Sequence, residues 1–241
     1  MIKNTLLLAF TIILSTACAN IAGNEIAPTY NLKSNTRGLF IDPVTSDSLE
    51  QVNMLLDKQW YFTKVLTFDG KPDMDVNSCK TLSKATKKNY KSTSYQTKSI
   101  LKTFKKTCST WQDMGLLTPS KESFLSSFKH GLALPKQMPP ELALIISNDD
   151  ERRLAKASSW EEMSHIKKVE PVTDDQAMYY DNSGGIQRLT IMAKGDYNQD
   201  GIEDIILRMS NSVKGGSYSS SYSYIVTRLA ADAPYTLIKQ F

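Results

Sequence analysis

Apolar residues recur at helical spacing through the first half of the chain. In SDSLEQVNMLLDKQW, which starts at Ser46, they fall three or four residues apart, and Ser46 or Asp47 can cap the helix. The same spacing predicts helices over about 77–89, 94–112, 120–131 (capped by Ser120), 139–146 and 149–157, and SSWEEM at 158–163 can begin one more turn. The β-branched and aromatic run WYFTKVLTF, 60–68, predicts a strand that ends at the turn 69–72.

After His165 the period changes from that of a helix to that of a strand. Strands are predicted over 165–172, 177–181, 185–195, 202–210, 217–229 and 234–241, and Gly, Asn, Asp and Pro turn residues separate them. Short connections between consecutive strands favour antiparallel hairpins. We therefore predict one α+β domain over 46–241, mostly helical over 46–160 and an antiparallel β-sheet over 161–241.

Composition narrows the class of protein only modestly. The chain has 241 residues, 41% of them hydrophobic and 22% charged, and a formal charge of +4. This is enough apolar material for a core, and the mean hydropathy of −0.33 argues against a polytopic membrane protein. Histidine occurs only at His130 and His165, which weakens the case for a zinc enzyme or a serine–histidine hydrolase.

The amino-terminal residues predict export. Lys3 precedes an apolar run and then small residues, which is the pattern of a signal peptide over 1–17, followed by a polar tether over 18–45. The sequence Leu-Ser-Thr-Ala-Cys resembles a bacterial lipobox, which implies acylation of Cys18 and an outer-membrane lipoprotein facing the periplasm. The small residues Ala17 and Ala19 also fit ordinary signal peptidase cleavage, which gives a soluble periplasmic or secreted protein.

Two cysteines remain if Cys18 is the lipid site. In the oxidising envelope, Cys79 and Cys108 are expected to form a disulfide that joins the start of one predicted helix to the end of the next. The alternatives are two buried free thiols or a catalytic thiol, and neither cysteine has a histidine nearby in the sequence.

The most unusual segment is GDYNQDGIEDIIL, residues 195–207. Oxygen-bearing side chains alternate at Asp196, Asn198 and Asp200, a glycine follows, and Asp204 precedes an apolar run. Calcium takes six to eight oxygen ligands, whereas carboxylates crowded without a cation repel one another. The sequence therefore predicts a calcium loop that stabilises the sheet, with a metal-free turn rich in Asp and Asn as the alternative.

These 13 residues resemble the calcium loop of FG-GAP repeats from integrin-type propellers and related bacterial repeats. The resemblance implies Asp196, Asn198, Asp200, Asp204 and the backbone carbonyl of Ile202 as the ligands of Ca²⁺, with Glu203 pointing outward or supplying a spare contact. A propeller needs several such repeats and the chain has one, so only a strand–loop–strand hairpin is implied. Leu207 stands where an EF-hand has its bidentate glutamate, which excludes an EF-hand.

Two further surfaces are candidate binding sites. From Val76 to Gln112 the chain has nine lysines and no acidic residue, and Lys98, Lys102 and Lys105 could contact anionic lipid or an acidic protein. Alternatively these lysines form a solvated face. Tyr218, Tyr222 and Tyr224 alternate with serines and form either a binding surface or a cover for the helical layer.

The sequence does not reveal a reaction. It lacks a Gly-x-Ser-x-Gly elbow, and no base stands out beside the acidic loop. By elimination and analogy we expect a calcium-binding envelope lipoprotein that acts as a binding or immunity-like inhibitor protein, or as a structural protein. The expected partner is another envelope or secreted protein, and nucleic acid is not expected. The alternative is a metal-dependent envelope hydrolase that uses the acidic loop.

Overall fold

The computed structural model describes residues 25–32, 39–42, 44–45 and 47–241, and these form a mixed α+β fold. The predicted signal peptide, Cys18 and part of the predicted tether lie outside the described residues. Among the described helices, none combines the length and the apolarity that are needed to cross a membrane. The helices are α1 (Leu49–Asp57), α2 (Cys79–Lys87), α3 (Tyr95–Met114), α4 (Asn148–Leu154) and α5 (Trp160–Ser164).

Six consecutive strands form an antiparallel meander in the order in which they occur along the chain. These strands are β4 (Ile166–Thr173), β5 (Gln176–Asp181), β6 (Gly185–Gly195), β7 (Asp204–Val213), β8 (Ser219–Thr227) and β9 (Thr236–Gln240). The strands predicted from the period of two are thus confirmed. A short strand from the start of the chain, β1 (Thr29–Tyr30), pairs with Ala193 and Lys194 of β6, beyond the stretch of β6 that β5 covers.

The sheet is covered on both faces. On one face Met192, Ile206 and Ile225 join the core of α1–α3, and on the other Leu207 and Tyr224 join the core formed by segment 125–166. The Ile-Ile-Leu run that opens β7 is fully buried because neighbouring residues face opposite cores. The predicted order, helices first and sheet last, therefore holds only in part: β1 precedes the helices and the sheet is the middle layer.

The helices α1–α3 follow their sequence pattern, except that α1 starts later than predicted. Its cap is Ser48 rather than Asp47, and Ser46 lies outside the described residues. Ser78 and Ser94 cap α2 and α3, and each of the three capping side chains accepts a backbone N–H from the first turn. The disulfide between Cys79 and Cys108 is confirmed, with 5.4 Å between their Cα atoms. The strand predicted at 60–68 is β2 (Lys64–Phe68), and it forms a separate hairpin with β3 (Lys71–Val76), which the periodicity did not predict.

The helix predictions fail between α3 and α4. No helix forms over 120–131, and within 139–146 there is only a 3-10 turn, Pro140–Leu142, after a similar turn at Leu134–Lys136. Ser120 caps nothing, because its N–H and C=O both pair with Ile26. The prolines near 135–140 lack the N–H groups that a helix needs, and the backbone of 118–123 bonds to other parts of the chain instead.

Candidate metal centre

The acidic loop joins the two strands at the middle of the sheet. Gly195 ends β6, Asp204 begins β7, and these two residues pair across the hairpin. The backbone turns sharply where Gln199 and Gly201 adopt φ values of +63° and +87°. Glycine takes the second of these φ values without steric cost, so Gly201 suits this position of the turn.

Backbone N–H groups inside the loop hold its polar side chains. Asp196 accepts the N–H of Gly201 at 2.7 Å through Oδ2 and that of Asp200 at 3.2 Å through Oδ1. Asp200 accepts the N–H of Ile202 at 2.8 Å, and Asp204 accepts that of Tyr197 at 2.9 Å. Asp196 and Asp204 lie buried at the inner end of the loop, whereas Asn198 and Asp200 are exposed at its outer end.

Asp204 is the least satisfied group of the loop. The residue is 0% exposed, and its Oδ1 makes no hydrogen bond of normal geometry among the residues that the structure describes, although the Thr227 hydroxyl acts on this carboxyl. Burial and, to a smaller extent, the charges of Asp200 and Asp196 raise the pKa of this carboxyl to about 6, against the opposing effect of the Thr227 hydroxyl and the Tyr197 N–H. Asp204 is therefore still mostly ionised at neutral pH, despite its burial.

Within the described part of the chain, no ion pair compensates these carboxylates. The ion pairs found among the described residues do not include Asp196, Asp200 or Asp204. In the same part of the chain no group of three or more His, Cys, Asp or Glu side chains is gathered closely enough to hold a metal. Calcium also accepts amide and carbonyl oxygens, which Asn198 and Ile202 could supply, although Asn198 here exchanges hydrogen bonds with Asp200, as in a metal-free turn rich in Asp and Asn.

A connecting segment, residues 118–123, is hydrogen-bonded to the acidic loop. Thr118 and Asp196 exchange two backbone hydrogen bonds of 2.9 Å, and the N–H of Lys121 donates to Gly201 O at 2.7 Å. Glu203 turns toward this segment and accepts the Ser123 hydroxyl at 2.5 Å. The prediction that Glu203 points outward is thus wrong, since its side chain is only 7% exposed.

A second attachment reaches the opposite end of the chain. The Tyr197 hydroxyl donates to Asp113 Oδ1 at 3.1 Å, and the Lys239 ammonium donates to both Asp113 oxygens at 2.8 and 2.9 Å. Burial lowers the pKa of Lys239, but its hydrogen bonds to Asp113 and Tyr197 outweigh this effect and raise it. No local pattern predicts this network, because its members are separated by 42 to 126 residues.

The tyrosines of β8 belong to the core layers more than to a surface. Tyr224 is 1% exposed in the core under segment 125–166, so it is not available to a partner, which corrects its place in the predicted binding surface. Tyr222 packs against the same core with the Lys106 ammonium 3.6 Å from its ring centre. The Tyr218 hydroxyl donates to Ile145 O at 3.4 Å. Lys98, Lys102 and Lys105 are exposed on α3.

Comparison with protein-family models gives no match, and comparisons with curated proteins and with solved structures give none either.

Proposed function

We propose that this chain is an envelope protein whose β6–β7 loop binds one structural Ca²⁺. The observation that carries the proposal is the buried carboxylate of Asp204, whose Oδ1 has only the Thr227 hydroxyl to oppose its desolvation and which takes part in none of the ion pairs among the described residues. A desolvated carboxylate oxygen without a donor is costly, and a divalent ion removes that cost directly.

The donors of this loop fit calcium better than other metals. Asp196, Asp200 and Asp204 offer carboxylate oxygens, Asn198 an amide oxygen and Ile202 a backbone carbonyl, and hard oxygen ligands of this kind suit Ca²⁺. The bound ion would supply the positive charge that the loop lacks. It would thereby fix the turn to which segment 118–123 and Tyr197 are attached, and this role is structural rather than catalytic.

The wider role that we propose is binding another envelope or secreted protein, as an inhibitor or structural protein held at the membrane through an acylated Cys18. The export pattern and the disulfide support the compartment. Large apolar side chains that remain exposed near α1 and β2 support a partner surface. Met54 is 64% exposed, Tyr61 60% and Val65 54%.

Calorimetric titration of chelator-treated protein with calcium tests the site. One equivalent should bind, and Asp200→Ala should remove the binding while Asp174→Ala, at an exposed turn, should retain it. Absence of binding to the unmodified chain would refute the site. If the loop instead served a hydrolase, metal would restore turnover of an envelope substrate and Asp200→Ala would remove that turnover.

The partner is tested separately by pull-down from envelope extract. The protein should capture one partner at a reproducible ratio, and Tyr61→Ala with Met54→Ala should release it. Capture that is unchanged in this double variant would place the partner surface elsewhere. Repeating the experiment with chelator shows whether the partner depends on the calcium loop.

A further inference from the structure

A groove runs between α2 and α3. Its larger part has a volume of about 350 Å³ and a floor of Leu66, Leu82 and Leu101. A smaller part of about 220 Å³ continues it, and Leu82, Thr86 and Lys105 line both parts. The Cys79–Cys108 disulfide forms the far end of the floor. The groove is therefore narrow, mostly apolar at its base and held rigidly.

Lysines form the rim of this groove. They are Lys87, Lys91, Lys98, Lys102 and Lys105. Among the described residues none of the five forms an ion pair, whereas Lys80 of the same helical pair binds Asp57 at 3.0 Å. The sequence contains no acidic residue from 76 to 112, and the one carboxylate of the two helices, Asp113 near the end of α3, is paired with Lys239.

The fold brings these positive charges together, and no ion pair among the described residues offsets their repulsion. Lys98 and Lys102 are one helical turn apart, as are Lys102 and Lys106, and like-charged pairs at this spacing oppose helix formation. Lys106 itself lies outside the groove, where it donates to Ser221 O, and its pKa is lowered by burial and then by the charge of Lys102. Tyr95, 85% exposed, adds an aromatic ring one turn from Lys98.

We propose that the α2–α3 groove docks on an anionic phospholipid surface. The lysine ammonium groups would hold lipid phosphates, the leucine floor would receive part of an acyl chain, and Tyr95 would lie at the interface. Charge complementarity selects an anionic partner, and the apolar floor under a row of lysines matches a phospholipid, in which a phosphate and an acyl chain belong to one molecule, better than a nucleic acid backbone, which has no alkyl chain. This proposal does not depend on calcium at the β6–β7 loop.

Vesicle co-sedimentation tests the proposal with a non-acylated chain that begins at Ala19. The chain should bind vesicles of phosphatidylglycerol mixed with phosphatidylcholine and should not bind phosphatidylcholine alone. Each lysine near an anionic surface contributes about a fivefold factor in affinity, so Lys98→Gln, Lys102→Gln and Lys105→Gln together should weaken binding by about 100-fold. Added salt should weaken the binding of the unmodified chain.

The matched control removes the same charge from the opposite face of the sheet. Lys129→Gln, Lys136→Gln and Lys156→Gln lie in exposed positions of segment 125–166 and should change affinity by less than about threefold. Equal losses in both triple variants, or equal binding to uncharged vesicles, would overturn the proposal. Circular dichroism and an intact disulfide establish folding of each variant. Amine labelling on vesicles provides a second measurement, because the groove lysines should be protected and the control lysines should not.

Discussion

Replacing Asp204 with asparagine should have opposite effects with and without calcium. In the metal-free protein Asp204 is a buried carboxylate whose pKa rises from 3.8 to about 6. Two pKa units correspond to about 3 kcal/mol, by which the charged group destabilises the fold at neutral pH. Asp204→Asn removes that charge and keeps the shape of the side chain. The new amide N–H has no acceptor, and this lowers the gain in the free energy of unfolding by about 1 kcal/mol.

The net stabilisation of the metal-free variant is therefore about 2 kcal/mol, or an increase of about 4–8 °C in Tm for a chain of this size. Calcium at a hundred times its Kd should stabilise the unmodified protein by about 2.7 kcal/mol, whereas the variant lacks a charged ligand and should gain little. The two melting curves should then exchange order when calcium replaces chelator. Asp174→Asn, at an exposed turn, should follow the unmodified protein in both conditions.

Differential scanning calorimetry in chelator and in millimolar calcium measures both effects. A variant that melts below the unmodified protein in chelator would show that Asp204 is well satisfied without metal. An equal rise of both proteins with calcium would show that the ion binds elsewhere. Either result refutes the reasoning from burial to metal binding.

The same group sets a pH dependence with a definite sign. Between about pH 4 and 6 the native metal-free state holds a proton on Asp204 that the unfolded state has lost, so this group's contribution makes stability fall as pH rises through that window. Calcium requires the deprotonated carboxylate, so its affinity should rise over the same window. Titrations at several pH values measure both trends, and a calcium affinity that does not change with pH would contradict the assignment of Asp204 as a ligand.

Three further substitutions probe other parts of the fold. Cys79→Ser with Cys108→Ser should lower the free energy of unfolding by about 3–4 kcal/mol, measured by urea titration, because the disulfide separates residues 29 apart in the chain; a loss under about 1 kcal/mol would contradict this. Gln187→Leu should cost about 2–4 kcal/mol in the same assay, because the buried amide accepts the Trp160 indole N–H at 2.9 Å, and a neutral effect would show that the network adds nothing. Gly201→Ala places a Cβ at a φ of +87° and should cost about 1 kcal/mol and weaken calcium binding, whereas unchanged calorimetry would remove the need for glycine there.

The sheet and the first helices follow from local pattern, because burial on a fixed face repeats at a fixed period. β3 could not be predicted in this way. It is an exposed hairpin strand that carries a proline and two aspartates, and only Val76 is fully buried. The helix expected at 120–131 fails for a different reason. Its apolar spacing is present, but Ser120 and Lys121 give their backbone groups to Ile26 and Gly201, and a single sequence cannot reveal such long-range pairing.

The same distinction applies to the candidate metal centre. The ligand types and the turn glycine lie within one short segment, so the sequence could predict them together. The attachments that give the loop its structural importance come from elsewhere: Thr118 and Ser123 from the connecting segment, and Asp113 and Lys239 from α3 and β9. These residues are ordinary in the sequence, and only the folded chain brings them to the loop.

The loop is attached to both core layers, so its influence on stability extends beyond its own residues. Tyr197 joins the core of α1–α3, Leu125 of the adjoining segment joins the core on the other face, and Ile26 pairs with Ser120 between them. A change in the loop should therefore disturb the packing of both cores and the pairing of Ile26 near the start of the described chain. Elements that share contacts in this way unfold together rather than singly. Calcium at Asp204 should accordingly raise the stability of the whole domain in one cooperative transition, and not merely order the nine residues from 196 to 204.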